Sequence, residues 1–139
     1  MPGRNNIIRT SRLMILDDCY NANPISTRAA IDVLDMAIGR KVAILGNMGE
    51  LGDQELDLHR EVGAYCAEKG IDVVCAIGDL AKSLAEGASA NPQTETHWFE
   101  TKADFLSAMK EIIRDGDNVL VKASHGMWFP ELVEELQKF

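Results

Sequence analysis

Short apolar runs alternate with amphipathic stretches from residue 12 to the end of the chain, the pattern of successive strand and helix units in the order βαβαβαβαβα. The strand runs are 12–17, 41–45, 72–77, a weaker 97–100, and 118–122, with cores such as Leu13-Met14-Ile15-Leu16, Val42-Ala43-Ile44-Leu45 and Val119-Leu120-Val121. Their apolar residues are consecutive rather than alternating. That suits strands covered on both faces, as in a parallel sheet, because a half-exposed strand would show polar residues at every second position. Residues 6–10 are a further candidate, an antiparallel strand paired with the first run through a turn near Ser11.

Between the runs, Ala30, Val33, Leu34, Ala37 and Ile38 recur at helical spacing, after a start at Asn23-Pro24 and before a stop at Gly39. A second helix is predicted over 54–69, with Leu58, Val62, Tyr65 and Cys66 inward, Asp53 as its cap and Gly70 as its stop. A shorter helix follows Asp79. Another follows Thr101 with Phe105, Met109, Ile112 and Ile113 on one face, and the last carries Leu132, Val133 and Leu136. There is no internal repeat, low-complexity tract or interdomain linker. The fold class is α/β: a Rossmann-like, doubly wound, mostly parallel sheet with helices on both faces and a candidate antiparallel strand at its N-terminal end.

The chain has 139 residues, 46% hydrophobic and 26% charged, which fits one globular domain able to close its own core. A formal charge of −8 argues against a phosphate-tracking face, so nucleic acid is not an expected partner. No apolar stretch approaches the roughly 20 residues that span a bilayer, and residues 1–12 lack a signal-peptide core; membrane insertion is not expected and a cytoplasmic location is. Cys19, Cys66 and Cys75 are odd in number and lack C-x-x-C spacing, which favours reduced, buried thiols over a disulfide or zinc framework.

Ligands of open α/β sheets bind beyond the carboxyl ends of the strands. Three polar loops fall there: 17–24, 46–52 and 123–127. In the first, Asn23 caps a helix and the aspartates form a turn on the structural reading. That reading leaves the crowding of Asp17, Asp18, Tyr20 and Asn21 unexplained, whereas a carboxylate with amides and a phenol suits a sugar and a polar substrate. In the second, three glycines allow close backbone approach, Glu50 is either a solvated carboxylate or a site residue, and His59 is either a satisfied structural histidine or a site residue. In the third, Ser124, His125 and Lys122 could meet an anion, with Lys122 equally readable as a solvated strand-end cation.

The segments DDCYNANP, LGNMGELG, LHREVG and VLVKASHGM resemble the C-terminal domain of the Mur ligases, and the likeness extends from Pro2 to the last helix. The YNANP run is similar to the branch that adds D-alanyl-D-alanine to UDP-N-acetylmuramoyl-tripeptide in peptidoglycan synthesis. The resemblance implies an ATP-driven ligase: a carboxylate is phosphorylated with Mg2+ assistance, and the dipeptide amine attacks the acyl phosphate. It implies that residues 1–11 are a hinge and first strand, that 12–139 are the domain proper, and that of the N-terminal and central domains that complete the enzyme, the central one holds most of the ATP and Mg2+ contacts. Arg4 then corresponds to a hinge arginine on the ATP phosphates, Asp18 to a carboxylate on ribose, and Tyr20, Asn21 and Asn23 to the wall between nucleotide and dipeptide. Asn47, Glu50, His59, Ser124 and His125 flank the substrate side.

Three positions depart from the family pattern. Cys19 stands where serine is frequent, Asn47 where aspartate is common, and Ala123-Ser124-His125 where Gly-Ser-Arg is usual. The chain also lacks a G-K-[ST] phosphate loop, so it is expected to be one domain of a three-domain enzyme, with no catalytic residue or metal site of its own and no activity alone. The alternatives are another ligase of the superfamily, of folylpolyglutamate or cyanophycin type, and a non-catalytic doubly wound binding module.

Overall fold

The structure, a computed structural model, describes residues 6–139. Six strands form one sheet in the order β1-β2-β6-β3-β4-β5: β1 Asn6–Arg9, β2 Met14–Asp17, β3 Lys41–Gly46, β4 Val73–Ile77, β5 Glu95–Phe99 and β6 Asn118–Lys122. β1 and β2 are antiparallel, Asn6 facing Asp17 and Arg9 facing Met14, and every other pairing is parallel. The strand reading therefore holds, including the antiparallel edge. The strand starting at Glu95 begins two residues earlier than the polar sequence there suggests.

Five helices link the strands: α1 Pro24–Asp35, α2 Glu55–Lys69, α3 Ala81–Ala88, α4 Lys102–Ile112 and α5 Pro130–Gln137. Alternate strand residues split the core in two. Ile15, Val42, Ile44, Val119 and Val121 pack under Phe105 and Met109 of α4 and Leu132 and Leu136 of α5. Leu16, Ala43, Leu45, Val74 and Leu120 pack under Ile31 and Leu34 of α1, Val62 and Cys66 of α2, and Leu84 of α3. The sheet is thus covered on both faces, which is why its strands read as continuous apolar runs. Among the described residues, no helix is long and apolar enough to cross a membrane.

Two helix details differ from the sequence reading. The buried face of α1 is Thr27, Ala30, Ile31 and Leu34, while Val33 is exposed and Ile38 lies beyond the helix, which ends at Asp35 rather than running to Gly39. The two apolar stripes are offset by about one residue, and burial against β6 and β3 selects the other. Asp53 does not cap α2. It sits inside a one-turn 3-10 helix, Gly52–Gln54, and the α2 N-cap is Gln54 without a side-chain bond. Gly70 ends α2 in the left-handed region as expected, φ 69°.

Candidate functional site

β6 lies between β2 and β3, so the loops following these three strands meet at one place on the carboxyl edge. The loops after β2 and β3 lead to α1 and α2 on one face, and the loop after β6 leads to α5 on the other. Chains diverging to opposite faces leave a crevice between them, the usual ligand position of a doubly wound sheet. Here it is about 620 Å³, walled by Tyr20, Asn21 and Asn23 from the first loop, Glu50 and Leu51 from the second, and Ser124 and His125 from the third. A smaller cavity of about 310 Å³ lies on the other side of the Tyr20–Asn23 wall, bounded also by Asp18, Ser26 and Lys122.

Chain entry into α1 shapes the first loop. Asn23 is extended, its Oδ1 accepts the Ser26 amide at 2.8 Å, and Ser26 Oγ accepts the Asn23 amide at 3.1 Å, a reciprocal cap completed by Pro24 in the first turn. The cap leaves Nδ2 of Asn23 at the crevice. Upstream, Asp17 and Asp18 are buried at the strand end. The Asp18 carboxylate accepts a hydrogen bond from Lys122 Nζ at 2.9 Å, and the same ammonium donates to the Asn21 carbonyl at 2.9 Å. Lys122 is only 3% exposed, so it is neither a solvated cation nor an anion-seeking one; it is a strut between β6 and the first loop. Cys19 donates its thiol proton to Asp17 Oδ1 at 2.9 Å, and burial together with that carboxylate pushes the thiol up to about 12. Cys66 and Cys75 are likewise buried, reduced, and pushed up to about 12 by burial. All three are neutral at pH 7 and poor nucleophiles.

The second loop uses its polar groups internally. Asn47 Nδ2 donates to Asp79 Oδ1 at 2.7 Å, and Asn47 Oδ1 accepts the Ala81 amide at 2.9 Å. Both ends of the carboxamide thus serve the entry to α3, and the hydrogen bond from Asn47 holds the Asp79 carboxyl below its usual range. Gly78 makes room for this contact: its φ is +117°, and a Cβ there would lie 2.4 Å from Asn47 Oδ1. The Asn47 carbonyl accepts the Ser124 amide at 2.9 Å, tying the second loop to the third. His59 is fully buried. Its Nε2 accepts the Met48 amide at 2.9 Å, so the ring proton lies on Nδ1, which donates to the Glu55 carbonyl at 2.6 Å. Burial pulls its pKa down, and the ring is neutral. Asn47 and His59 therefore lie outside the crevice lining and act as supports for the loop. Glu50, in contrast, stands on the rim in a left-handed conformation, φ 58°.

In the third loop a short 3-10 turn, His125–Met127, brings an exposed aromatic row to the mouth of the crevice. The His125 ring lies 5.5 Å from Tyr20 and 5.7 Å edge-on from Trp128. Trp128 is more than half exposed at φ 54°, and its carbonyl accepts Lys102 Nζ at 3.1 Å.

The structure therefore gathers Tyr20, Asn21, Asn23, Glu50, Ser124 and His125 around one crevice, places Asp18 at the neighbouring cavity, and removes Asn47 and His59 from the lining. Arg4 lies outside the described residues. The role of Lys122 was legible from strand parity: it shares a face with buried Leu120, so its ammonium needs an acidic partner. Trp128 carries no comparable signal. Among the described residues no three His, Cys, Asp or Glu side chains gather as a metal-ion site.

Comparison with known proteins identifies the architecture. The UDP-N-acetylmuramoyl-tripeptide–D-alanyl-D-alanine ligase of Bacillus subtilis is 41% identical over 138 residues, 96% of this chain and 30% of that protein. A crystal structure of MurF from Acinetobacter baumannii superimposes with a TM-score of 0.89 at 33% identity, covering 100% of this chain and 31% of the other. MurF ligase from Thermotoga maritima in complex with ADP superimposes with a TM-score of 0.82 at 25% identity, over 99% of this chain and 31% of that one. This chain thus spans about three-tenths of the length of these relatives. The family described as "Mur ligase, glutamate ligase domain" matches residues 3–125, which contain the first two crevice loops and the third as far as His125, and the chain belongs to that family.

Proposed function

We propose that this chain provides the C-terminal domain of an ATP-dependent ligase that joins D-alanyl-D-alanine to UDP-N-acetylmuramoyl-tripeptide in peptidoglycan synthesis. The observation that carries the reading is the crevice itself: the YNANP segment of a Mur ligase forms one wall of a polar cleft at the topological switch point, opposite Glu50, Ser124 and His125. On this reading residues 1–11 are a hinge and first strand, with Arg4 reaching the nucleotide phosphates, and the partners are the N-terminal and central domains of the same enzyme.

ATP supplies the phosphoryl group that turns a substrate carboxylate into an acyl phosphate, with Mg2+ held by the central domain. The contribution of this chain is placement. The exposed Tyr20 and His125 rings offer planar faces for a nucleoside. Asp18, held by Lys122 at the edge of the smaller cavity, places a carboxylate where a ribose hydroxyl would be received. The Asn21 carboxamide makes no hydrogen bond among the described residues, and with Nδ2 of Asn23 and the Ser124 hydroxyl it suits the amide and carboxylate of a dipeptide. Holding the amine in line with the activated carbonyl removes the entropic part of a two-body encounter. Closure of the domains excludes the water that would otherwise hydrolyse the acyl phosphate.

The test is turnover by the full-length protein, following ADP release and the amide product with D-alanyl-D-alanine, L-glutamate and L-aspartate as competing amines. Dipeptide-dependent product is expected. Preference for a single amino acid would transfer the assignment to another ligase branch, and binding without turnover would favour the non-catalytic module.

A further inference from the structure

We propose that Lys122 is a positioning residue of the crevice: its buried ammonium clamps residues 18–21 against the end of β6 and so sets where the wall presents Asn21. What the crevice binds rests on the ligase reading above; the clamp itself rests on geometry. A buried lysine is rare unless its charge is matched, and packing alone would be served by an apolar side chain like its neighbours Leu120 and Val121. The ammonium instead faces three oxygens: Asp18 Oδ2 at 2.9 Å, the Asn21 carbonyl at 2.9 Å and the Asp18 carbonyl at 3.4 Å. Three donors meet three acceptors, which leaves none for a phosphate. Two of those acceptors are main-chain carbonyls at the two ends of one four-residue segment, so the contact fixes backbone, not only charge.

That segment leads into the wall between the cavities of about 620 and 310 Å³, and Tyr20, Asn21 and Asn23 border both. Anchoring comes from the central strand of the sheet, paired on both sides with β2 and β3. Loss of the clamp lets the wall drift toward either cavity, and a displacement of about 1 Å at a binding group is enough to change turnover by up to about 100-fold.

The experiment is Lys122→Met in the full-length protein. The expected result is a rise of about 10-fold or more in KM for D-alanyl-D-alanine, with KM for the UDP-linked substrate within about twofold. Hydrogen exchange of peptides covering 18–23 should quicken while those of β3 and β4 stay unchanged. A purely structural lysine would lower the unfolding midpoint and the active fraction without altering KM, so an unchanged dipeptide KM overturns the proposal, as does an equal rise for both substrates. If Lys122→Met does not fold, Lys122→Arg keeps the charge but presents a planar fork instead of an ammonium tripod, and is expected to raise the dipeptide KM by about 3- to 10-fold. A wild-type KM in that variant overturns the proposal. If the wild-type protein ligates no dipeptide, the ligase reading falls and the clamp is judged by exchange alone: acceleration confined to 18–23 upholds it, and unaltered exchange there refutes it.

Discussion

The loops after β2 and β3 stand one strand apart on the same edge and carry the same residue type, yet use it in opposite ways. In the first, Asn23 gives half of its amide to a helix cap and Asn21 gives only its carbonyl to the scaffold, so polar side-chain groups remain at the crevice. In the second, Asn47 commits both ends of its amide to α3, and His59 commits both ring nitrogens to the loop and its own helix. A polar side chain is available to a ligand only to the extent that the fold has not already satisfied it. The second loop is a foundation, and the first is a face built on it.

The sharpest way to break this distinction is at Gly78, whose missing side chain is what lets the Asn47 amide reach α3. Gly78→Ala introduces both a clash and a strained positive φ, and is expected to cost about 3 kcal/mol in denaturant unfolding. Full stability in that variant would show that the Asn47 bracket is dispensable. Next come the two asparagines compared directly. Asn47→Ala should lower stability by about 1–3 kcal/mol, because it leaves the Ala81 amide unpaired, with little change in dipeptide KM among molecules that remain folded. Asn21→Ala should do the reverse in the full-length enzyme, raising KM or lowering kcat for the dipeptide by about 10- to 100-fold with an unchanged unfolding midpoint. Exchanged phenotypes would invert the assignment of the loops.

A pH series separates the supports from the face more gently. The folded state keeps His59 neutral, with its pKa below the ordinary 6.5, so the unfolded chain takes up this proton first on acidification. The stability it contributes is full above pH 6.5 and declines as pH falls toward the lowered folded pKa, with a limiting slope of about 1.4 kcal/mol per pH unit. Unfolding measured from pH 7 to 5 should show this fall, and His59→Gln should flatten it. A slope that survives the substitution belongs to other groups. The smallest effect is expected at Asn23→Asp, which keeps an oxygen for the Ser26 amide but removes the Nδ2 donor. Helix stability should move by no more than about 0.5 kcal/mol while dipeptide affinity weakens, separating the two duties of that side chain.

What could be read in the amino-acid order follows the same division. Strand runs buried on both faces are legible because every residue in them is constrained alike, and β6 was placed to the residue. Asn23-Pro24 is legible because its partner, Ser26, is three positions away. The α1 face was misread because two overlapping stripes satisfy helical spacing, and only the sheet beneath decides between them. The Asn47 bracket is not legible because its partners, Asp79 and Ala81, belong to a helix entry that follows a different strand, a relation with no local signature. His59 was readable either way until its two backbone partners were known. Crevice residues carried by the YNANP segment, by contrast, were gathered as expected, since loops at adjacent strand ends must converge wherever the strand order is right.

The insertion of β6 between β2 and β3 also bears on how the chain reaches its structure. Until residues 118–122 are in place, β1-β2 and β3-β4-β5 are separate ribbons, each with an unsatisfied edge facing the other. Completing the sheet therefore waits on a contact between residues about a hundred positions apart, Asp17 opposite Val121, the kind of long loop closure that slows folding. A chain stalled on the ribosome before residue 118 exposes both edges and is a template for strand exchange with its neighbours.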